Sequence, residues 1–222
     1  LLFNFLTIWD SSAQLKEKTT ESIILVLMSA SGFMLMIDSE NLIMLFIGLE
    51  IGSISLYALA GLNKGDKFSN EASLKYFLLG SLASCILIYG VALVYVSFSV
   101  MSVYDFALAV SYIGPDLVPL TTSVGIILIF IGLLFKIAAA PFQSWAPDVY
   151  QGSPTGYVGY MASIAKVASF IVIARLCQVS LRFMQSEFES FFLVIVILSV
   201  VIGSIFATVQ DDLKRLLAYS GV

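Results

Sequence analysis

Between Leu42 and Gly61 the chain reads LIMLFIGLEIGSISLYALAG, and between Leu78 and Gly90 it reads LLGSLASCILIYG. Apolar runs of this length decide what the chain can become. A bilayer's hydrocarbon core, about 30 Å thick, is crossed by roughly 20 apolar residues in helix, and lipid offers no partner to an unpaired backbone N–H or C=O. The runs are therefore expected to be membrane-spanning helices, at residues 22–37, 40–61, 72–98, 119–142, 155–181 and 189–208. Composition agrees: 59% of the 222 residues are hydrophobic and 12% are charged, against about 25% charged in soluble domains. Too few polar residues remain to cover a water-facing surface. The expected fold is an all-α integral membrane protein of about six spans, two of them broken. The small residues repeated within the two quoted runs suit close packing of helices in a bundle.

Several function classes drop out. No basic run suits nucleic acid, and the net charge of −4 is divided between loops and membrane interior. The chain has no histidine and only two cysteines, Cys85 and Cys177, in separate apolar runs. That excludes a His-ligated haem and leaves little with which to hold zinc or an iron–sulfur cluster. No G-x-G-x-x-G or P-loop occurs. If the protein serves electron transfer, the electrons travel elsewhere. Residues 1–21 lack the regions of a signal peptide and read as an extra-membrane or interfacial segment.

The loops divide into two sets. One holds Lys16, Lys18, Lys64, Lys67, Lys214 and Arg215, together with the segment SWAPDVYQGSP; the other holds DSEN, the stretch from Met101 to Pro119, which has no Lys or Arg, and the turn containing Arg182. By the positive-inside rule the first set faces the cytoplasm, or the matrix of a mitochondrion.

Ionisable residues stand inside the apolar runs. Glu50 lies about 16 Å from the basic end of its helix and Lys166 about 18 Å from its own, at 1.5 Å per residue. Lys136 is nearer the basic side, but its helix is interrupted just beyond it. Lys75 lies only about 7 Å in, within reach of snorkelling to the interface, and Glu50 could serve merely as hydrogen-bonded glue between helices. A lysine at a helix centre costs about 2.5–3.5 kcal/mol on insertion scales, so Lys136 and Lys166 are expected to face polar partners or water. Burial disfavours the charged form of such groups and a nearby opposite charge favours it. Buried lysines beside a carboxylate can therefore change protonation state when that carboxylate moves, which is what a proton relay requires.

The interruption lies in LLFKIAAAPFQSWAPDVYQGSP, with Pro141, Pro147 and Pro154. Proline lacks an N–H and clashes with the preceding helical turn. In a membrane, irregular backbone persists where it is buried in protein or lines a cavity, and discontinuous helices near the midplane mark ion sites in transporters. An ordinary re-entrant or interfacial loop is the alternative, in which Trp145, Tyr150 and Tyr157 would form part of an aromatic belt.

FKIAAAPFQSWAPDVYQGSPT followed by SIAKVASF, with GLEIGSISLYAL and EASLKYFLLGS upstream and DDLKRLLAYSGV downstream, resembles the chain 2 family of respiratory complex I, the antiporter-like membrane subunits of proton-translocating NADH:ubiquinone oxidoreductase. The likeness runs from about Ile23 to the last residue. It implies that Glu50, Lys75, Lys136 and Lys166 are relay groups linked by water along the membrane midplane, with Lys75 pairing with or modulating Glu50. It implies two inverted five-helix repeats, the first over residues 22–181 and an incomplete second over 182–222. FMN, iron–sulfur clusters and ubiquinone would belong to partner subunits, with none in this chain. Its partners would be other membrane-arm subunits and membrane phospholipid, in a mitochondrial inner membrane or a bacterial plasma membrane, with the rest of the second repeat supplied either by more of the same polypeptide or by a separate chain. Gln143 departs from the family's usual histidine. A sodium/proton antiporter subunit, or a scaffold that no longer pumps, are the alternatives.

Overall fold

Asn41 and Asp66 start helices by turning a side-chain oxygen onto backbone N–H groups that have no partner in the first turn. Asn41 Oδ1 accepts from Ile43 and Met44 at 2.9 and 3.4 Å, and Asp66 Oδ1 accepts from Phe68 at 3.0 Å. The computed structural model describes residues 19–114 and 117–222. Within these the order is α1 (Thr19–Asp38), α2 (Leu42–Ala60), α3 (Lys67–Phe98), α4 (Val103–Ile113), α5 (Leu120–Lys136), α6 (Trp145–Gly152), α7 (Thr155–Tyr160), a π-helical turn (Met161–Ala165), α8 (Lys166–Gln178), α9 (Gln185–Thr208) and α10 (Leu213–Ser220). Residues 1–18, most of the segment assigned to the extra-membrane N-terminus, lie outside the described residues.

The protein is a multi-pass membrane protein. Among the described residues, α1, α2, α3, the continuous stretch Thr155–Gln178 and Ser186–Thr208 are long and apolar enough to cross a bilayer, and α5 is an apolar helix of 17 residues. Five expected spans thus correspond to α1, α2, α3, α7–α8 and α9. The expected 119–142 span stops at Lys136, because Ala138 turns into the left-handed region with φ 59°. Ala139 N–H then bonds Leu134 O and Ala138 N–H bonds Phe135 O, both at 3.0 Å, the Schellman pattern that terminates a helix. The stretch from Met101 to Pro119, read as loop, contains α4. Ser102 caps it by accepting from Asp105 N–H at 3.3 Å, and Val103, Phe106, Ala107 and Val110 are buried. That 3-and-4 spacing is helical.

Small residues let the helices meet backbone to backbone. At the α1–α2 crossing a Cβ on Gly48 would lie 2.5 Å from Met36 N and 2.8 Å from Gly32 O. At the α3–α5 crossing, a Cβ on Gly90 would lie 2.5 Å from Gly125 O. The long α3 packs on α2, α5 and α6, so residues from three elements converge along it.

The two loop sets gather at opposite ends. At the basic end Lys214 donates to Ser153 O at 2.9 Å and Arg215 to Asp148 at 2.7 Å. At the other end Val103 N–H bonds Glu40 O at 3.0 Å, and Arg175 donates to Ile37 O at 2.6 Å and to Ser39 O. The interfacial-belt alternative is corrected here. Trp145, Tyr150 and Tyr157 are 3%, 2% and 0% exposed, inside the bundle rather than at its rim.

Candidate functional site

Lys136 is the last residue of α5, so it leaves the helix where the backbone turns. Its side chain is 4% exposed. Nζ donates to Tyr57 Oη at 2.9 Å and lies 5.4 Å from the centre of the Tyr57 ring. Glu50 precedes Tyr57 by about two turns on α2 and accepts a hydrogen bond from Ser84 Oγ of α3. Ser84 also bonds Gly80 O at 3.0 Å. Glu50 and Tyr57 thus stand on one helix, the first bonded to Ser84 of α3 and the second to Lys136 of α5.

Aromatic packing fixes this arrangement. Tyr76 meets the Tyr57 ring edge-on, centroids 4.7 Å apart, and stacks on Trp145 at 4.6 Å. The Trp145 indole N–H in turn donates to Phe135 O at 2.9 Å, a second bond to the carbonyl that already accepts from Ala138 N–H at the end of α5. Of the three prolines, only Pro141 lies in the non-helical segment. Pro147 sits in the first turn of α6, where a missing N–H costs nothing, and Pro154 precedes α7.

Lys166 begins α8 directly after the π-helical turn, a feature often found at functional sites. It is half-buried and donates to Gly221 O of the α10 cap at 2.8 Å. Lys75 is placed differently. It is 41% exposed and pairs with Asp148 at 2.6 Å and Glu71 at 2.8 Å. Asp148 also pairs with Arg215 at 2.7 Å. Burial opposes charge on Asp148, but the hydrogen bonds and charges of Lys75 and Arg215 outweigh it and hold its carboxyl below the ordinary aspartate value. A cleft lined by Glu71, Lys75, Asp148 and Gln151 lies beside the pair.

The structure thus takes Lys136 to Tyr57, Glu50 to Ser84, Lys166 to Gly221 and Lys75 to Asp148. Among the described residues no bond joins one of these four candidates directly to another. Several buried polar atoms also find no protein partner among the described residues: Tyr150 Oη, Tyr157 Oη, Ser153 Oγ, Ser169 Oγ and Gln143 Oε1. No three His, Cys, Asp or Glu side chains converge as metal ligands among the described residues.

The family described as NADH:quinone oxidoreductase/Mrp antiporter, transmembrane, matches residues 39–222. This chain belongs to that family. It is 39% identical over 215 residues to NADH-quinone oxidoreductase subunit N of Magnetococcus marinus, an alignment that covers 96% of this chain and 44% of the relative. Among solved structures it is similar to respiratory complex I of Thermus thermophilus with bound aureothin, with TM-score 0.79 and 34% identity over 98% of this chain and 46% of that one. A chain of the Mrp complex of Dietzia sp. has the same fold, with TM-score 0.80 over 89% of this chain and 36% of that one, at 20% identity. The chain spans less than half the length of the relatives it matches.

Tyr57, Ser84, Trp145 and Asp148 are the site residues that sequence reasoning missed. Tyr57 and Ser84 carry no charge, so nothing in an apolar run singles them out. Asp148 carried a signal: it stands in the segment assigned to the same end as Lys75 and Arg215, where basic residues need acidic partners.

Proposed function

We propose that this chain forms part of a proton-translocating membrane-arm subunit of an NADH:quinone oxidoreductase, and that Glu50, Lys75, Lys136 and Lys166 are its relay groups. One observation carries the reading. Lys136 is sealed within protein at a helix end and bonded to the hydroxyl of Tyr57, on the helix that also carries Glu50. A charged amine in such a place is costly unless it is fully partnered, and among the described residues Lys136 has one protein bond for three donors,. The unpartnered buried hydroxyls of Tyr150, Tyr157 and Ser169 support a hydrated polar axis, since buried polar groups are satisfied by water where protein does not satisfy them. Lys75, at the basic end and paired with Asp148, would then be the group nearest bulk solvent.

Residues 22–181 are read as the first repeat and 182–222 as the start of the second. The apolar flank of α9, with Leu193, Val196, Ile197 and Val200 exposed, would face the remainder of the fold, other membrane-arm subunits or lipid. Redox cofactors and quinone would be held by those partners. The bacterial relatives favour a plasma membrane over a mitochondrial one, with the basic end in the cytoplasm. The antiporter reading rests on fold likeness, and the higher identity to oxidoreductase subunits favours the first. Replacing Lys136 with alanine in the assembled enzyme tests the proposal: NADH-driven proton uptake into vesicles should fall while assembly persists. Undiminished uptake would leave the scaffold reading.

A further inference from the structure

We propose that Tyr57 is a positioning residue for Lys136, its hydroxyl keeping the amine in one seat in both protonation states, and that Gly80 is required to admit that hydroxyl. The inference rests on the relay reading and adds two residues to it. A relay group must lose and regain a proton without losing its place. An ammonium only donates hydrogen bonds, whereas a phenol both donates and accepts. Tyr57 Oη lies 2.9 Å from Lys136 Nζ, where it can accept from the ammonium and, by rotating its O–H, donate to the neutral amine across the same distance. A carboxylate in that position could only accept, so on deprotonation the amine would keep a neutral N–H donor to it but lose the charge attraction, and its new lone pair would find no donor there.

Both ends of the bond are held by one set of side chains. The Tyr57 ring is fixed by the edges of Tyr76 and Phe77, with centroids 4.7 and 6.0 Å away. Tyr76 stacks on Trp145, and Trp145 bonds the carbonyl of Phe135, the residue before Lys136. The four-carbon stem of Lys136 is therefore anchored at its backbone and at its tip by the same aromatic stack. Gly80 supplies the space. A Cβ built there would lie 2.2 Å from Tyr57 Oη and 2.7 Å from Cζ, so any side chain would push the hydroxyl off the amine. The carbonyl of Gly80 accepts from Ser84, which also holds Glu50. One turn of α3 thus touches both the acid and the hydroxyl that seats the base.

The test uses the assembled oxidoreductase in vesicles, comparing Tyr57→Phe, Gly80→Ala, the double variant and Lys136→Met. Protons moved per NADH oxidised and NADH:quinone turnover with the gradient collapsed are measured separately. Each single variant is expected to assemble and to lower the pumping ratio about tenfold, as for loss of one bond to a charged group. The double variant should pump no worse than either single, because both remove the same bond; phenylalanine removes the 2.2 Å contact with the new methyl, and the ring still has to shift to clear Cζ at 2.7 Å. Wild-type pumping in Tyr57→Phe or in Gly80→Ala, losses that multiply in the double, or failure of Tyr57→Phe to assemble would each overturn the proposal. Undiminished pumping in Lys136→Met would instead overturn the relay reading beneath it.

Discussion

At the scale of single residues, the molecule separates two kinds of charge. Glu50 and Lys136 are held inside the bundle by hydroxyls, of Ser84 and Tyr57, while Lys75, Asp148 and Arg215 form a partly exposed ion-pair cluster at the basic end. For Glu50→Gln the expected outcome is slower proton pumping with normal assembly, because the amide keeps the bond to Ser84 but cannot take up and release a proton. Blue-native electrophoresis and vesicle acidification check the two halves of that statement, and an unassembled enzyme would reduce Glu50 to helix glue. Asp148→Asn belongs to the other kind. A partly exposed pair contributes about 1 kcal/mol or less, so a modest loss of thermal stability is expected at pH 7. The sign with pH follows from the depressed carboxyl of Asp148. Its contribution is complete above the ordinary aspartate value of 3.8 and vanishes as pH falls through the lower folded value,. The melting difference between wild type and variant should therefore close in acid.

At the scale of elements, caps and glycines do more than hydropathy. Neighbouring runs are all apolar, but where each of three helices begins is set by Asn41, Asp66 and Ser102, and how near two helices come is set by Gly32, Gly48, Gly90 and Gly125. Gly48→Ala places a methyl 2.5 Å from Met36 N, a backbone atom that cannot move aside alone. Overpacking of this kind costs about 1–3 kcal/mol, to be seen as a lowered melting temperature in detergent and a reduced yield of assembled enzyme. Ser102→Ala removes the cap of α4 at a cost of about 1 kcal/mol, and faster amide exchange at Val103–Asp105 would report it. The sequence announced neither effect in full. Small residues in α2 were visible as a packing face, but which helix they would meet was not, because that depends on the partner's register. The helix α4 escaped notice because 11 residues are too few for a span and its apolar stripe is interleaved with exposed Tyr104, Leu108 and Tyr112.

At the scale of the whole molecule, the two loop sets gather at opposite ends, and α3 runs between them beside both the buried base and the surface cluster. A cysteine placed at Asn63, at the basic end, should react with an impermeant maleimide only from the cytoplasmic face, and one placed at Glu40 only from the other. Labelling of both from one face would sink the assigned orientation. Composition and run length by themselves determined that the chain is helical and crosses a membrane several times, because a continuous apolar run of about 20 residues satisfies its backbone hydrogen bonds in lipid as a helix, whereas barrel strands are shorter and alternate in polarity. They also marked Glu50, Lys136 and Lys166 as out of place, since charge in an apolar run is conspicuous in one dimension. Only the tertiary structure decided which groups those charges meet. Tyr57 lies 79 positions from Lys136 and Asp148 lies 73 from Lys75, and a hydrogen bond is set by distance in space, to which position along the chain gives no guide.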